Sequence, residues 1–205
     1  MPLVATARIL FVVMAMSLCG VAAAKPTVGE PAPGFAAVDS HGHGHTLDEF
    51  RGKFVVLEWT NDGCPYVGKH YGTGNMQMLQ KHYTEQGVVW LSVISSAPGH
   101  QGYVDGERAN QLTGDRQAAP TAVLLDPEGT VGRLYGAKTT PHMYIVDPEG
   151  TLIYMGGIDD VPSARWRDVE NAENYVRTAL DEALAGKPVT TAITRPYGCS
   201  VKYGS

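Results

Sequence analysis

Apolar residues along this chain cluster in two rhythms. Phe54-Val55-Val56-Leu57-Glu58-Trp59 is rich in β-branched and apolar side chains and runs into the turn-forming Asn61-Asp62-Gly63, the pattern of a buried central strand. Cys64 therefore falls just past a strand's C-terminal end. Met76, Leu79 and Tyr83 then recur at helical spacing, and Gly87 closes that segment before a second apolar strand over residues 88–94. This predicts a β-turn-α-β unit. Upstream, residues 35–38 read as a short strand and His41-Gly42-His43-Gly44-His45 as a turn, with Leu47 and Phe50 leading into the next element. Downstream, residues 105–116 read as a polar surface helix and residues 121–125 as a strand.

Two Asp-Pro-Glu-Gly segments, at 126–129 and 147–150, suit type I turns, with Asp first, Pro second and Gly fourth. The second joins residues 143–146 to 151–155 as an antiparallel hairpin. Val169, Ala172, Val176, Ala179, Leu180, Ala183 and Leu184 mark a last helix, stopped by Gly186 and Pro188. The tail from 190 to 205 has little pattern. A β-α-β half followed by a β-β-α half predicts an α/β fold, a central mixed β-sheet flanked by helices, with an N-terminal β-hairpin extension.

The first residues add a targeting signal to this picture. Arg8 precedes the apolar run 9–16, and Val21-Ala22-Ala23-Ala24 supplies small residues for signal peptidase, so residues 1–24 read as a signal peptide cleaved after Ala24. The apolar stretch is short of the roughly 20 residues of a spanning helix. The mature protein is expected to be periplasmic or secreted, with no membrane association after signal removal, and residues 25–205 suffice for a single domain. The formal net charge of −5 becomes −6 once Arg8 leaves, with charges interspersed, which argues against a nucleic-acid role. Two cysteines remain, Cys64 and Cys199, in a setting where a disulfide can persist, and one intramolecular pair is the simplest arithmetic.

Cys64 stands between a buried strand and the start of a helix, where backbone N–H groups and the helix dipole favour a thiolate. About 75 residues later, Lys138-Thr139-Thr140-Pro141-His142 places a proline directly before a strand. In motif order, over roughly residues 27 to 185, the chain resembles the thioredoxin-like superfamily, in particular its redoxin, or AhpC/TSA-type peroxiredoxin-like, members. The resemblance implies a thioredoxin-like fold and a cis-proline loop in which Thr140 faces the reactive cysteine and offers its backbone to a bound peptide, with Thr140 and Pro141 positioning substrate. It requires no cofactor. Thioredoxins carry Cys-x-x-Cys, whereas Cys64-Pro65-Tyr66-Val67 fills only the first position. Peroxiredoxins place their peroxidatic cysteine at what is here Val67, with Thr or Ser at the position of Cys64 and Pro at that of Thr60, and none of the three matches.

Cys199 is the other thiol, expected as resolving or disulfide partner of Cys64. A bond between them would enclose 134 residues and stabilise by about 5 kcal/mol on the chain-entropy model. The expected function is exported thiol-disulfide exchange on a protein or small-molecule disulfide or thiol substrate, recharged by a separate reductant. The alternatives are a non-catalytic, disulfide-stapled binding module, copper-binding in one form, and a peroxiredoxin-like antioxidant. His41, His43 and His45 are weak metal candidates, since on an extended segment alternate imidazoles share a face. His70 and Met76 with Cys64 are another conceivable copper set. His142 is a candidate for tuning the pKa of Cys64. Glu58, Asp62 and Lys69 carry no pattern that assigns a role.

Overall fold

The computed structural model describes residues 25–204; the signal peptide read at 1–24 lies outside them. In chain order the elements are β1 (Ala36–Asp39), β2 (Gly44–Thr46), β3 (Val55–Trp59), α1 (Pro65–Gly72), α2 (Asn75–Thr84), β4 (Val89–Ile94), α3 (Gly106–Asp115) and β5 (Ala122–Leu125). They continue with α4 (Thr130–Tyr135), β6 (Thr139–Thr140), β7 (His142–Val146), β8 (Leu152–Gly156), α5 (Tyr175–Leu184) and β9 (Cys199–Ser200). Seven strands form one mixed sheet in the order β2-β1-β5-β4-β3-β7-β8. β3 runs parallel to β4, β4 parallel to β5, and β7 antiparallel to β3. β1 and β2 extend the sheet as the N-terminal hairpin.

Every residue of β3, β4 and β7 is buried, because helices and loops cover both faces of the sheet centre. Val56, Trp90, Met143 and Ile145 meet α1, α2 and α5 on one face. Leu57, Trp59, Leu91, Val93 and Tyr144 meet Phe35, Leu47 and α4 on the other. Fully burying each aliphatic or aromatic side chain of this kind contributes roughly 1.5–3 kcal/mol.

Four details depart from the sequence reading. The helical segment after Cys64 is two helices, separated where Gly74 adopts a left-handed φ of 75°. The first Asp-Pro-Glu-Gly leads into α4, a short helix the sequence reading did not include, where both carboxylate oxygens of Asp126 accept first-turn N–H groups, from Val131 and Gly132. At the second, Asp147 accepts from Thr151 N–H and the chain turns back into β8. The last helix begins at Tyr175, not near Val169, since Asn174 caps it by accepting from the Arg177 N–H. Finally, the tail, which shows little pattern in sequence, follows defined partners: it runs along β8, pairs with β6 and ends beside Arg133 of α4.

Candidate active site

Asn61 shapes the turn that delivers Cys64. Its Oδ1 accepts from Gly63 N–H at 3.0 Å, while Nδ2 donates to Ser96 Oγ at 3.3 Å and the Gln101 carbonyl at 3.1 Å. Cys64 is the N-cap of α1, with Pro65 at the first helical position, where a missing N–H costs nothing. Only 1% of Cys64 is exposed, and its thiol donates to the Thr140 carbonyl at 3.1 Å. Burial pushes this thiol's pKa up. Hydrogen bonds from the Cys199 thiol, the Thr140 hydroxyl and the backbone N–H groups of Val67 and Cys199 outweigh that, and the net direction is down. The Thr140 hydroxyl is buried and makes no regular hydrogen bond, which leaves it free to turn toward the sulfur when that is ionised.

Thr140-Pro141 is a cis peptide bond. Its neighbour in space is the tail: Cys199 pairs with Thr140 and Ser200 with Thr139, antiparallel. The main chain of Thr140, which the family resemblance assigns to a bound peptide, is thus occupied by the protein's own C-terminal strand. The approach is close enough to exclude a side chain one residue earlier, since a Cβ on Gly198 would fall 2.1 Å from the Thr140 carbonyl oxygen. Cys64 and Cys199 are both free thiols here. Burial, then the adjacent Cys64 sulfur, push the Cys199 pKa up to about 11, the opposite direction to its partner.

Before reaching Cys199 the tail follows the edge of β8, where Met155 N–H donates to the Ala192 carbonyl and Thr194 N–H to that of Met155. Beyond it, Val201 N–H donates to Lys138, the Lys202 carbonyl accepts from Ala97 N–H at 2.8 Å, and the Tyr203 hydroxyl donates to the Ala137 carbonyl. Contacts along its whole length hold Cys199 in place.

The other candidates are distributed differently. His142 is one residue past the cis-proline, but its Nδ1 accepts from Lys138 N–H and lies 3.2 Å from the Tyr144 hydroxyl rather than at the thiol. Burial, then the Lys138 charge, depress its pKa to about 3, so the ring is neutral. The period-two argument for His41, His43 and His45 fails because β2 starts only at Gly44 and the chain before it is turn. His45 lies between Glu49 Oε1 at 2.7 Å and Asp39 Oδ2 at 3.1 Å, while the His43 ring is 75% exposed. His70 faces Asn75 and Tyr197 through its two ring nitrogens, and Met76 is in the core, so neither forms a set with Cys64. Among the described residues no group of three or more His, Cys, Asp or Glu side chains is arranged to hold a metal ion.

Two residues left without a role by sequence are central in space. Glu58, on β3 and fully buried, accepts from Trp90 Nε1 at 2.8 Å, Tyr71 Oη at 2.7 Å, Gln80 Nε2 at 3.0 Å and Ser92 Oγ at 3.2 Å. Burial raises its pKa despite those donors. Lys69 is likewise fully buried and bonded to Asp159 and Tyr197. The signal that could have found both is a charged residue inside an otherwise apolar strand or on the inner face of a helix.

A mixed sheet flanked by helices, a cysteine capping the helix after its central strand and a cis-proline facing that cysteine define a thioredoxin-like redoxin. The AhpC/TSA family model matches residues 28–155, and the chain belongs to that family. Its fold is similar to that of a hypothetical protein from Sinorhizobium meliloti (24% identity, 89% of this chain and 97% of that one, TM-score 0.74). It is similar also to an uncharacterized conserved protein from Geobacillus kaustophilus (24% identity, 87% and 93%, TM-score 0.73). A thiol:disulfide interchange protein from a Bacteroides species shares 20% identity over 71% of this chain and 90% of its own, with a TM-score of 0.52. No curated protein matches by sequence.

Proposed function

We propose that this protein is an exported thiol-disulfide oxidoreductase, made as one redoxin domain behind a cleaved signal peptide and acting in the periplasm or outside the cell. The observation that carries the reading is the seat shared by Cys64, Thr140 and Cys199, with the two thiols' pKa values displaced in opposite directions. A nucleophile needs thiolate character, and a resolving thiol needs proximity. The Cys64 thiolate attacks one sulfur of a substrate disulfide, forming a mixed disulfide and expelling the other sulfur as a thiolate. Cys199 gives up its proton and attacks Cys64 Sγ, releasing the second substrate sulfur as a thiolate and leaving a Cys64–Cys199 disulfide. Two electrons have passed from the dithiol to the substrate, and an external dithiol reductant restores the pair. Thr140-Pro141 positions the substrate at Cys64 once the tail strand yields its place.

Turnover of insulin or glutathione disulfide with a dithiothreitol or thioredoxin couple tests this. Wild type should turn over and Cys64→Ala should not, while Cys199→Ser should accumulate the mixed disulfide. Absence of turnover in wild type under a reducing couple would refute the enzyme and favour a disulfide-stapled binding module. Peroxide reduction has no comparable support, since Val67 stands where the resemblance requires the peroxidatic thiol.

A further inference from the structure

Behind Cys64, on the same helix, is a buried polar cluster that the exchange chemistry does not use directly. Lys69 Nζ donates to Asp159 Oδ2 at 3.1 Å, the Val161 carbonyl at 3.1 Å and Tyr197 Oη at 2.9 Å. An ammonium has three N–H donors, and here each has an acceptor although the side chain is wholly buried. The Tyr197 hydroxyl in turn donates to Asp159 Oδ1, and His70 Nε2 lies 3.4 Å from it. The Tyr197 ring packs edge-on to Tyr66 with centroids 5.8 Å apart, and Lys69 Nζ sits 5.1 Å from its centre.

Position in the chain gives this cluster its meaning. Tyr66, Lys69 and His70 belong to α1, whose N-cap is Cys64, whereas Tyr197 precedes Cys199 by two residues. One phenol therefore ties the helix of the first cysteine to the strap carrying the second. Gly157, in the segment beneath, is small enough for the strap to pass, with a Cβ there falling 3.1 Å from the Arg195 carbonyl oxygen.

We propose that Tyr197, latched on Lys69 and Asp159, is a positioning residue that sets the effective concentration of Cys199 at Cys64 and restrains the strap from leaving the Thr139–Thr140 strand. This rests on the reading of Cys64 and Cys199 as a redox pair, but the latch can be measured without any substrate. Losing the hydroxyl leaves one ammonium proton of Lys69 without a partner and takes from Asp159 Oδ1 one of its two donors, the other being the Val161 N–H, so the latched state loses its advantage over the released one. The ring contacts with Tyr66 survive in Tyr197→Phe.

The test is the equilibrium in which Cys64 and Cys199 thiols plus one glutathione disulfide give the Cys64–Cys199 disulfide plus two glutathione thiols. Tyr197→Phe should lower its equilibrium constant about tenfold, the size expected for a lost hydrogen bond to a charged group. In a Cys199→Ser background the same change should speed alkylation of Cys64 by iodoacetamide about tenfold, since the strap shields that sulfur. Asp159→Asn, which preserves shape, should move both readouts in the same direction and stands in if Tyr197→Phe does not fold. Folded variants within twofold of their parents in both measurements would overturn the latch while leaving the exchange reading intact. A tenfold shift in a protein that turns over no disulfide substrate would uphold the latch and refute the exchange reading.

Discussion

At the β1–β2 hairpin, His41, His43 and His45 are neighbours in sequence, and the polar partners of His45 are carboxylates of the same short segment, Asp39 and Glu49. At the cysteine seat, residues 64, 140 and 199 come from three distant parts of the chain. The hairpin needs only a turn to form, and once formed its charges neutralise one another. The seat exists only when α1, the cis-proline loop and the strap are all in place, and it leaves a sulfur with a lowered pKa beside a second thiol. Density of interesting residues in sequence is thus a poor guide to chemistry, whereas convergence of distant ones onto a reactive atom is a good guide.

The sharpest break of this comparison is by substitution at each place. Cys64→Ala should reduce disulfide turnover to background. Replacing His41, His43 and His45 together by alanine should leave turnover unchanged, and titration with copper should give no tight stoichiometric binding to the parent. Tight binding lost in the triple variant would make the hairpin a site after all.

The next largest effect is expected at Glu58. Alanine there removes the common acceptor of Trp90, Tyr71, Gln80 and Ser92 and opens a cavity, so urea unfolding should show a loss of at least about 3 kcal/mol. Glutamine keeps an acceptor oxygen and should lose less. The sign with pH follows from a raised carboxyl pKa: its stability contribution is complete below the ordinary value of 4.5 and is lost as pH rises through the folded value. Parent stability should therefore fall across that window relative to Glu58→Gln. A flat difference between the two would mean that Glu58 titrates as an exposed carboxyl does.

The fold was legible because its signals are periodic and local. The apolar runs at 54–59 and 88–94, the hairpin around the second Asp-Pro-Glu-Gly and the position of Cys64 all have counterparts in β3, β4, β7, β8 and the N-cap of α1. The cis-proline loop was legible only through family resemblance, since nothing in Thr140-Pro141 by itself distinguishes cis from trans. The strap was not legible: residues 190–204 have no hydrophobic period because backbone hydrogen bonds and single side chains such as Tyr197 and Tyr203 hold them. Lys69 and Glu58 stayed silent for a related reason, as their partners lie on other elements and pairing of that kind leaves no spacing to read.

At the seat itself a milder change is informative. Thr140→Val removes the hydroxyl that faces Cys64 Sγ while keeping the side chain's shape. With one hydrogen bond to the thiolate gone, the Cys64 pKa rises, and exchange at pH 6.5 should slow about fivefold. The deficit should close at alkaline pH, where the sulfur is ionised in both proteins. A deficit constant across pH would assign Thr140 to substrate placement alone and not to activation of the sulfur.

The smallest effect is expected back at the hairpin. Burial lowers the His45 pKa, but hydrogen bonds to Glu49 and Asp39 prevail and raise it above 6.5. A histidine with a raised folded pKa stabilises fully below its unfolded value, and that contribution disappears as pH climbs through the folded value. Asp39 behaves in the opposite sense. Burial opposes its ionisation, yet the backbone N–H of His43 and the His45 ring bring its pKa down to about 2, so its contribution is present above 3.8 and is lost as pH falls toward about 2. Between about pH 4 and 6 both members are charged, and the hairpin is most firmly closed. His45→Ala should cost at most about 1 kcal/mol in that window, because Glu49 is partly exposed and screened, and less near pH 8. Urea unfolding at pH 5 and pH 8 decides this: an equal loss at both would mean that His45 acts through packing on Phe50, its stacked neighbour, and not through charge.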